Sequence, residues 1–280
     1  MTDAKPPVPD PAVVSAVFDL IGPKLEAQGS GLVVVGICGA QGSGKSTLAK
    51  AILQECGEQG IAAASLSIDD LYLTKAERER LGRDVHPLLR TRGVPGTHDV
   101  ALGLDVVSQL DRGVPVALPR FEKARDDRAP QGDWPAAPSA CRVLVFEGWC
   151  VGSRPEADDA LQQPVNALEE MEDPDGVWRR YANECLAGDY QRLFARIDAL
   201  VLLAAPGFDV VFDWRMQQEE DLRQSVSERA SDVMDAAGVA RFIRHYERLT
   251  RHILSEMPDR ADLVVRLARD RSPLSMERRN

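Results

Sequence analysis

The residues of this chain with the clearest chemical potential form a glycine-rich octapeptide. Residues 39–46 read Gly-Ala-Gln-Gly-Ser-Gly-Lys-Ser and fit G-x-x-x-x-G-K-[ST], the pattern of a phosphate-binding loop. In such a loop, backbone amides and the positive end of the following helix surround an anion. Lys45 is expected to reach the β- and γ-phosphates of a nucleoside triphosphate, and the Ser46 hydroxyl to hold Mg²⁺. The predicted phosphate-binding residues are Gly39, Ala40, Gln41, Gly42, Ser43, Gly44, Lys45, Ser46 and Thr47.

An acidic residue that could hold the same metal closes a later apolar segment. Glu147 lies near the end of Val143-Leu-Val-Phe-Glu-Gly148, about a hundred residues after the glycine loop. A carboxylate at that place can hold Mg²⁺ directly or through a coordinated water. Taken alone, a glutamate at a strand end is more simply explained by pairing with a lysine or with water. Because the phosphate loop is also present, we favour the role of Glu147 as a metal ligand.

A pair of aspartates follows another apolar segment. Asp69 and Asp70 come directly after residues 61–68. Transfer of a phosphoryl group to an alcohol needs alignment, charge neutralisation and a carboxylate that accepts the hydroxyl proton. Asp69 is placed for that role, and we predict it to be the catalytic base. For Asp70 the simpler expectation is that it caps the next helix.

Basic side chains cluster in one segment of an otherwise acidic protein. The segment 119–128 contains Arg120, Lys123, Arg125 and Arg128. Arginine suits bidentate binding of a carboxylate, so these four are the predicted substrate-binding residues for a small acidic acceptor. In the alternative, the segment is a solvated loop whose basic residues pair with the acidic residues beside them.

Two further arginines occur in a polar stretch, residues 209–237, that could form a mobile lid. Arg215 delivered from a lid could stabilise charge on the transferring phosphoryl group, with Arg223 a weaker candidate. The alternative is an exposed helix in which both pair with Glu219 and Glu220. None of the four histidines shows a metal-ligand pattern. His98 is expected to pack in its loop or to approach the substrate.

The elements that must position these groups alternate between strand and helix. An apolar run at 32–38 precedes the glycine loop, and residues 47–58 have helical spacing, which is the context that confirms the motif. Further strands are predicted at 61–68, 142–148, 199–204 and 263–267. This order predicts an α/β fold with a five-stranded, mainly parallel sheet, at whose carboxyl edge ligands gather.

Composition bounds the class of protein. With 280 residues, 44% hydrophobic and 28% charged, the chain is an ordinary globular one of one or two domains. The net charge of −10 argues against general binding of nucleic acid or anionic membranes, and no apolar run approaches the ~20 residues of a membrane helix. Five cysteines without a Cys-x-x-Cys pair fit reduced thiols, and a cytoplasmic location is expected.

We predict one kinase-like domain over residues 31–270, with a helical insertion at 153–196 and the lid at about 209–237. Residues 1–30 are expected to form a loose proline-rich tail and a leading helix, and residues 271–280 a C-terminal tail. Asp99 or Thr97 is expected to cap a helix over 100–111. The oligomeric state stays open.

Three motifs together resemble a group of P-loop kinases. The group contains uridine kinase, phosphoribulokinase and bacterial pantothenate kinase, and the motifs are the glycine loop, Asp69-Asp-Leu-Tyr72 and Phe146-Glu-Gly148. The resemblance implies a three-layer P-loop kinase fold with a lid, and a catalytic base at Asp69. Phe121 and Asp126 depart from the group's tyrosine–histidine pattern in the substrate loop, which argues against a nucleoside or pantothenate acceptor.

A narrower resemblance covers residues 32–267. The segments 92–99, 119–128, 146–149, 214–223 and 245–250 are similar to those of plant- and fungal-type D-glycerate 3-kinases, in the same order. The resemblance implies ATP and Mg²⁺ as cofactors and transfer of the γ-phosphate to a hydroxyl of D-glycerate, giving 3-phosphoglycerate.

Other functions stay open at this point. The acceptor could be another small hydroxy acid or alcohol, or the chain could be a regulatory ATPase with no small acceptor. A GTPase switch would normally contain Asn-Lys-x-Asp, and that tetrapeptide is absent from the sequence.

Overall fold

The chain folds into helices and strands that alternate along most of its length. The computed structural model describes residues 9–225 and 234–279, with the backbone alone for 221–225. The helices are α1 (Pro11–Ala27), α2 (Lys45–Glu58), α3 (Lys75–Asp84), α4 (Val100–Asp111), α5 (Ala167–Glu172), α6 (Val177–Cys185), α7 (Gln191–Phe194), α8 (Asp209–Ser225) and α9 (Ala236–Glu256). The strands are β1 (Val33–Gly39), β2 (Ala63–Ser67), β3 (Phe121–Glu122), β4 (Asp127–Arg128), β5 (Val143–Gly148), β6 (Ala199–Ala204), β7 (Leu263–Leu267) and β8 (Pro273–Arg278).

A mainly parallel sheet forms the centre of the molecule. Its strand order is β2-β5-β1-β6-β7-β8, with five parallel strands and an antiparallel β8 at one edge. The five parallel strands are the five predicted ones. The sixth, Pro273–Arg278, lies where the sequence predicted only a tail. Its residues are all exposed or half-exposed, so no apolar pattern marks it as a strand.

Helices cover both faces of this sheet, and its inner strands are therefore buried on both faces. Every residue of β1, β5 and β6 is buried. Val34 and Leu144 pack in one core cluster with α4 and α7, whereas Val35 and Val145 pack in a second cluster with α1 and α2. The predicted three-layer α/β fold is confirmed.

Several local predictions can be compared with the structure. Asp99 caps α4, since its side chain accepts a hydrogen bond from the Leu102 amide at 3.0 Å. In the segment 153–196, the first helix begins only at residue 167. The helix α9 begins at Ala236, inside the predicted lid, and residues 226–233 of that lid lie outside the described part. The domain boundaries and the lid role stay predictions.

A buried ion pair and a hydrogen bond join the segment 153–196 to α9. Arg248 Nη2 lies 2.7 Å from an oxygen of Glu169, which is fully buried, and Asn166 donates to the Arg244 carbonyl at 2.9 Å.

The five cysteines are free, and four of them are buried. In the described ranges, no helix combines the length and the apolar character that crossing a membrane requires.

Candidate active site

The glycine loop connects the end of β1 to the start of α2. Gly42 and Gly44 have positive φ angles of 77° and 93°, which other residues adopt with strain. A Cβ on Gly42 would also lie 2.7 Å from the Cβ of Trp214. Ser43 Oγ is buried and has no hydrogen-bond partner within the described residues. This hydroxyl is therefore a free donor inside a loop whose amides suit a phosphate.

The turn between β7 and β8, residues 268–272, contacts the same loop from outside. Arg271 Nε donates to the Gly42 carbonyl at 2.7 Å, and its guanidinium lies 5.4 Å from the centre of the Trp214 ring. The Trp214 indole in turn donates to the Arg269 carbonyl at 2.7 Å. The sequence predicts only a tail for residues 271–280 and gives no sign of this contact, because only the fold brings the turn to the loop.

The Lys45 side chain lies over the phosphate loop. Its Nζ donates to the Ala40 carbonyl at 2.9 Å. Burial lowers the pKa of Lys45, and the negative charges of Glu147 and Asp69 act in the opposite direction. Lys45 lines the same cavity as Glu147 and Asp69.

Ser46 and Glu147 meet across the top of two neighbouring strands. The Ser46 hydroxyl donates to Glu147 Oε1 at 2.9 Å, and Glu147 is 6% exposed. The parallel pairing of β1 with β5 sets Glu147 beside Ile37, two residues before the loop begins. A hydroxyl and a carboxylate are oxygen ligands of the kind that Mg²⁺ accepts. The donor set fits a magnesium ion.

Asp69 lies in a tight turn that follows β2 at the same edge of the sheet. Its carboxylate accepts hydrogen bonds from the Tyr72 hydroxyl at 2.9 Å and from Lys123 Nζ at 2.7 Å. Burial would raise the pKa of Asp69, but the Lys123 charge and these two hydrogen bonds outweigh it and lower the pKa to about 2. Asp69 is therefore ionised throughout the neutral pH range.

Asp70 has a different role from the predicted one. Its carboxylate accepts from the Phe121 amide at 3.1 Å and from Arg120 Nη1 at 3.2 Å. The prediction that Asp70 caps a helix is wrong: Thr74 caps α3, with a capping box to Glu77. Asp70 instead holds the basic segment against the turn that carries Asp69.

The four basic residues of that segment do not act as one cluster. Lys123 lines the same cavity as Asp69 and the phosphate loop. Arg120 pairs with Asp70, and Arg128 donates to the Tyr72 carbonyl and to Asp99 at 3.1 Å each. Arg125 pairs with Glu122 on the surface, with 65% of its side chain exposed. Of the four predicted substrate-binding residues, the structure brings only Lys123 to the candidate site.

Arg215 reaches the cavity from α8. Its guanidinium forms an ion pair with Glu219, donates to Gln218 Oε1 at 3.2 Å and lies 5.6 Å from the centre of the Phe242 ring. The ion pair with Glu219 is the one expected if α8 were only an exposed helix. The Arg215 side chain nevertheless also lines the site. The side chain of Arg223 lies outside the described part of the chain.

His98 is buried beside the site. Its ring stacks on Tyr72 with 4.6 Å between centroids, and Nδ1 lies 2.6 Å from the Tyr190 hydroxyl. Burial lowers the pKa of His98 to about 3, although the charge of Asp69 opposes the shift. A neutral His98 therefore supports Tyr72, which in turn donates to Asp69.

The site includes residues that were not assigned a role from the sequence. Arg92, Trp149 and Tyr246 line the cavity, and all three belong to segments that carry the family resemblance. The Trp149 indole donates to the Gly93 carbonyl at 3.0 Å, and the Tyr246 hydroxyl to the Arg92 carbonyl at 3.2 Å. The sequence motifs therefore contained these residues, but their roles in the site depend on contacts between segments distant in the sequence.

These groups surround a single cavity of about 180 Å³. Its charged lining consists of Lys45, Asp69, Arg92, Lys123, Glu147 and Arg215. A phosphate loop, a hydroxyl–carboxylate pair suited to a metal and an ionised carboxylate thus open onto one space. That arrangement can align a phosphoryl donor with a small hydroxyl acceptor.

The fold and the site define a phosphotransferase of the P-loop kinase class. Over 224 residues the chain is 35% identical to the "Uncharacterized kinase mug58" of Schizosaccharomyces pombe, covering 76% of this chain and 78% of that protein. The chain belongs to the kinase family of this fission-yeast protein. No family model matches the chain.

Further comparisons agree with that assignment. The chloroplastic D-glycerate 3-kinase of Arabidopsis thaliana is 29% identical over 257 residues, 86% of this chain and 54% of that longer protein. The solved structure of D-glycerate 3-kinase from Cryptococcus neoformans superposes with a TM-score of 0.78 at 24% identity, covering 96% of this chain and 99% of that one. The resemblance to D-glycerate 3-kinases is confirmed, and the solved structure shows the shared fold.

Proposed function

We propose that this chain is a D-glycerate 3-kinase that uses ATP and Mg²⁺. The observation that carries the proposal is the ion pair between Asp69 and Lys123 inside the cavity that contains the phosphate loop. The pair supplies a proton acceptor and, beside it, a cation for an acidic acceptor. The Arabidopsis relative named for glycerate phosphorylation supports this choice of acceptor.

The chain's own residues account for each part of the transfer. Lys45 and the loop amides bind the β- and γ-phosphates, and Arg215 balances charge on the transferring group. An acceptor hydroxyl oxygen forms a bond to the γ-phosphorus while the bond from that phosphorus to the bridging oxygen of ADP breaks. Asp69 accepts the hydroxyl proton.

Ser46 and Glu147 are the residues we propose for Mg²⁺. When bound, the ion would neutralise charge on the phosphate oxygens. The cytoplasmic location expected from the sequence stays a prediction.

The acceptor is tested by measuring coupled ADP release with D-glycerate, uridine, pantothenate and ribulose 5-phosphate. D-glycerate is expected to give the highest turnover, because the cavity offers cations to its carboxylate and a base to its hydroxyl. Equal ADP release with and without every acceptor would support a regulatory ATPase instead. Faster turnover with uridine would exclude a carboxylate-dependent site.

The metal role of Glu147 is tested by the Glu147→Gln variant. Glutamine still accepts the Ser46 hydrogen bond but removes the charge, so the variant should fold and lose most of its turnover. The Mg²⁺ concentration for half-maximal turnover is expected to rise roughly 10- to 100-fold, the range seen when groups around a metal are altered. Titration of Mg²⁺ at saturating ATP measures this. An unchanged midpoint and turnover would remove Glu147 from the metal site.

A further inference from the structure

Arg92 is a cation that lines the cavity but has no role in the phosphoryl transfer proposed for Lys45, Asp69 and Arg215. In the described part of the chain, four cationic side chains line the cavity: Lys45, Arg92, Lys123 and Arg215. Lys45 belongs to the phosphate loop, Arg215 comes from the predicted lid, and Lys123 pairs with Asp69. Arg92 lies outside all three arrangements, and 25% of its side chain is exposed.

The guanidinium of Arg92 is held in a fixed position. Its Nη1 donates to Asp126 Oδ1, and its centre lies 5.5 Å from the centre of the Phe121 ring. Arg78, only 2% exposed, lies over the same ring at 5.8 Å and forms a 3.0 Å ion pair with the other oxygen of Asp126. Asp126 and Phe121 are therefore clamped between two guanidinium groups, of which one is buried and one lines the cavity.

The backbone at Arg92 is fixed as well. Tyr246 donates to the Arg92 carbonyl, and Trp149 donates to the Gly93 carbonyl. Gly93 has a φ of 144°, and a Cβ there would lie 2.3 Å from the Tyr246 hydroxyl oxygen. The close packing allows only glycine after Arg92. These contacts preorganise the Arg92 side chain, which holds its orientation before a ligand binds.

The chemistry of a guanidinium matches one part of a hydroxy-acid acceptor. Arginine presents several N–H donors in a planar fork that binds a carboxylate through two parallel hydrogen bonds. Only Nη1 of Arg92 has a hydrogen-bond partner among the described residues, so the rest of its fork can face a ligand. The cavity also contains Asp69, whose negative charge would repel a carboxylate that lacked a cationic partner.

We propose that Arg92 binds the carboxylate of the acceptor and, together with Lys123, directs the acceptor's hydroxyl toward Asp69. Asp126 is the positioning residue that orients Arg92. This assignment rests on the proposed function, and it makes Arg92 the residue that selects an acidic acceptor over a neutral one. Glycerol, which resembles glycerate without the carboxylate, is the matched probe.

The test uses the Arg92→Gln and Arg92→Lys variants, with Arg90→Gln as the control. Arg90 lies two residues away, is about half exposed and pairs with Glu79 outside the cavity. Arg92→Gln is expected to raise the KM for D-glycerate roughly 10- to 100-fold, the effect of losing a charge-assisted hydrogen-bond pair. Arg92→Lys, which keeps the charge without the fork, should give a smaller rise. Arg90→Gln should behave as the wild type.

Two further readouts separate binding of the acceptor from a structural or phosphate-binding role. The KM for ATP should stay unchanged, and the preference for D-glycerate over glycerol should shrink in Arg92→Gln. A rise in the KM for ATP with an unchanged preference would overturn the proposal and place Arg92 with the phosphates. A melting temperature close to that of the wild type shows that each variant is folded.

Failure of this inference can be told from failure of the proposed function. If the wild type phosphorylates D-glycerate and Arg92→Gln does so equally well, only the role of Arg92 is overturned. If pantothenate is the best acceptor, the proposed function fails; a raised KM for pantothenate in Arg92→Gln would then support the role of Arg92, and an unchanged KM would overturn it. If the best acceptor has no carboxylate, or no acceptor supports turnover, both are overturned.

Discussion

The Asp69→Asn variant is expected to lose turnover by at least about 10²-fold while its affinity for ATP stays near that of the wild type. Asparagine keeps the size of the side chain, and its one carbonyl oxygen can still accept from either Tyr72 or Lys123, which bond to different oxygens of Asp69. The turn after β2 should therefore keep its shape. It lacks the ionised carboxylate that accepts the hydroxyl proton. ATP binding is measured by titration, and turnover by acceptor-dependent ADP release.

The matched control for this variant is Asp70→Asn. Asparagine at position 70 can still accept from the Phe121 amide, and it loses the charge and the hydrogen bond that face Arg120, which does not line the cavity. Its effect on turnover should therefore be milder than that of Asp69→Asn. If Asp70→Asn is the more damaged of the two, the assignment of the base is off by one residue and Asp70 accepts the proton.

The Lys45→Ala variant should show a loss of similar size with a different kinetic pattern. Removing a cation that faces the transferring phosphoryl group is expected to lower turnover by roughly 10²- to 10³-fold. Unlike Asp69→Asn, it should also weaken ATP binding, because the ammonium meets the phosphates in the ground state as well. Both quantities come from turnover measured against ATP concentration at saturating Mg²⁺.

Lys50→Ala is the control for that experiment. Lys50 lies on the same helix as Lys45, five residues further along, and its side chain is exposed. Its removal should change neither turnover nor ATP binding. Normal turnover in Lys45→Ala would remove that residue from the site and would count against the phosphate role of the loop as a whole.

Much of the fold could be predicted because the relevant signals are local. The glycine loop, its flanking strand and its helix are contiguous in sequence, and the buried strands read as continuous apolar runs. The strand β8 could not be found in this way. An exposed edge strand has no buried face, so its sequence shows no alternation, and only its pairing with β7 defines it.

The site was predicted less completely than the fold, for a related reason. Residue types indicated which groups could bind a carboxylate, but Arg120 and Arg128 are neutralised by Asp70 and Asp99, acidic residues distant in the sequence. Arg92 reaches the cavity because Tyr246, more than a hundred residues later, fixes its backbone. Contacts formed only in the tertiary structure decide which of the basic side chains face the ligand. The sequence alone does not show which basic residues form these contacts.

The position of β1 at the centre of the sheet has a consequence for the newly synthesised chain. The strand that leads into the phosphate loop is complete at Gly39, but its neighbours β5 and β6 begin only at Val143 and Ala199. At roughly 5–20 residues per second, the first neighbour emerges on the order of five to twenty seconds later. Until then an apolar strand has both edges unpaired, which is a template for aggregation. The ribosome-bound chain is therefore open to aggregation during that interval, and its nucleotide site is assembled late in synthesis although its key motif is made first.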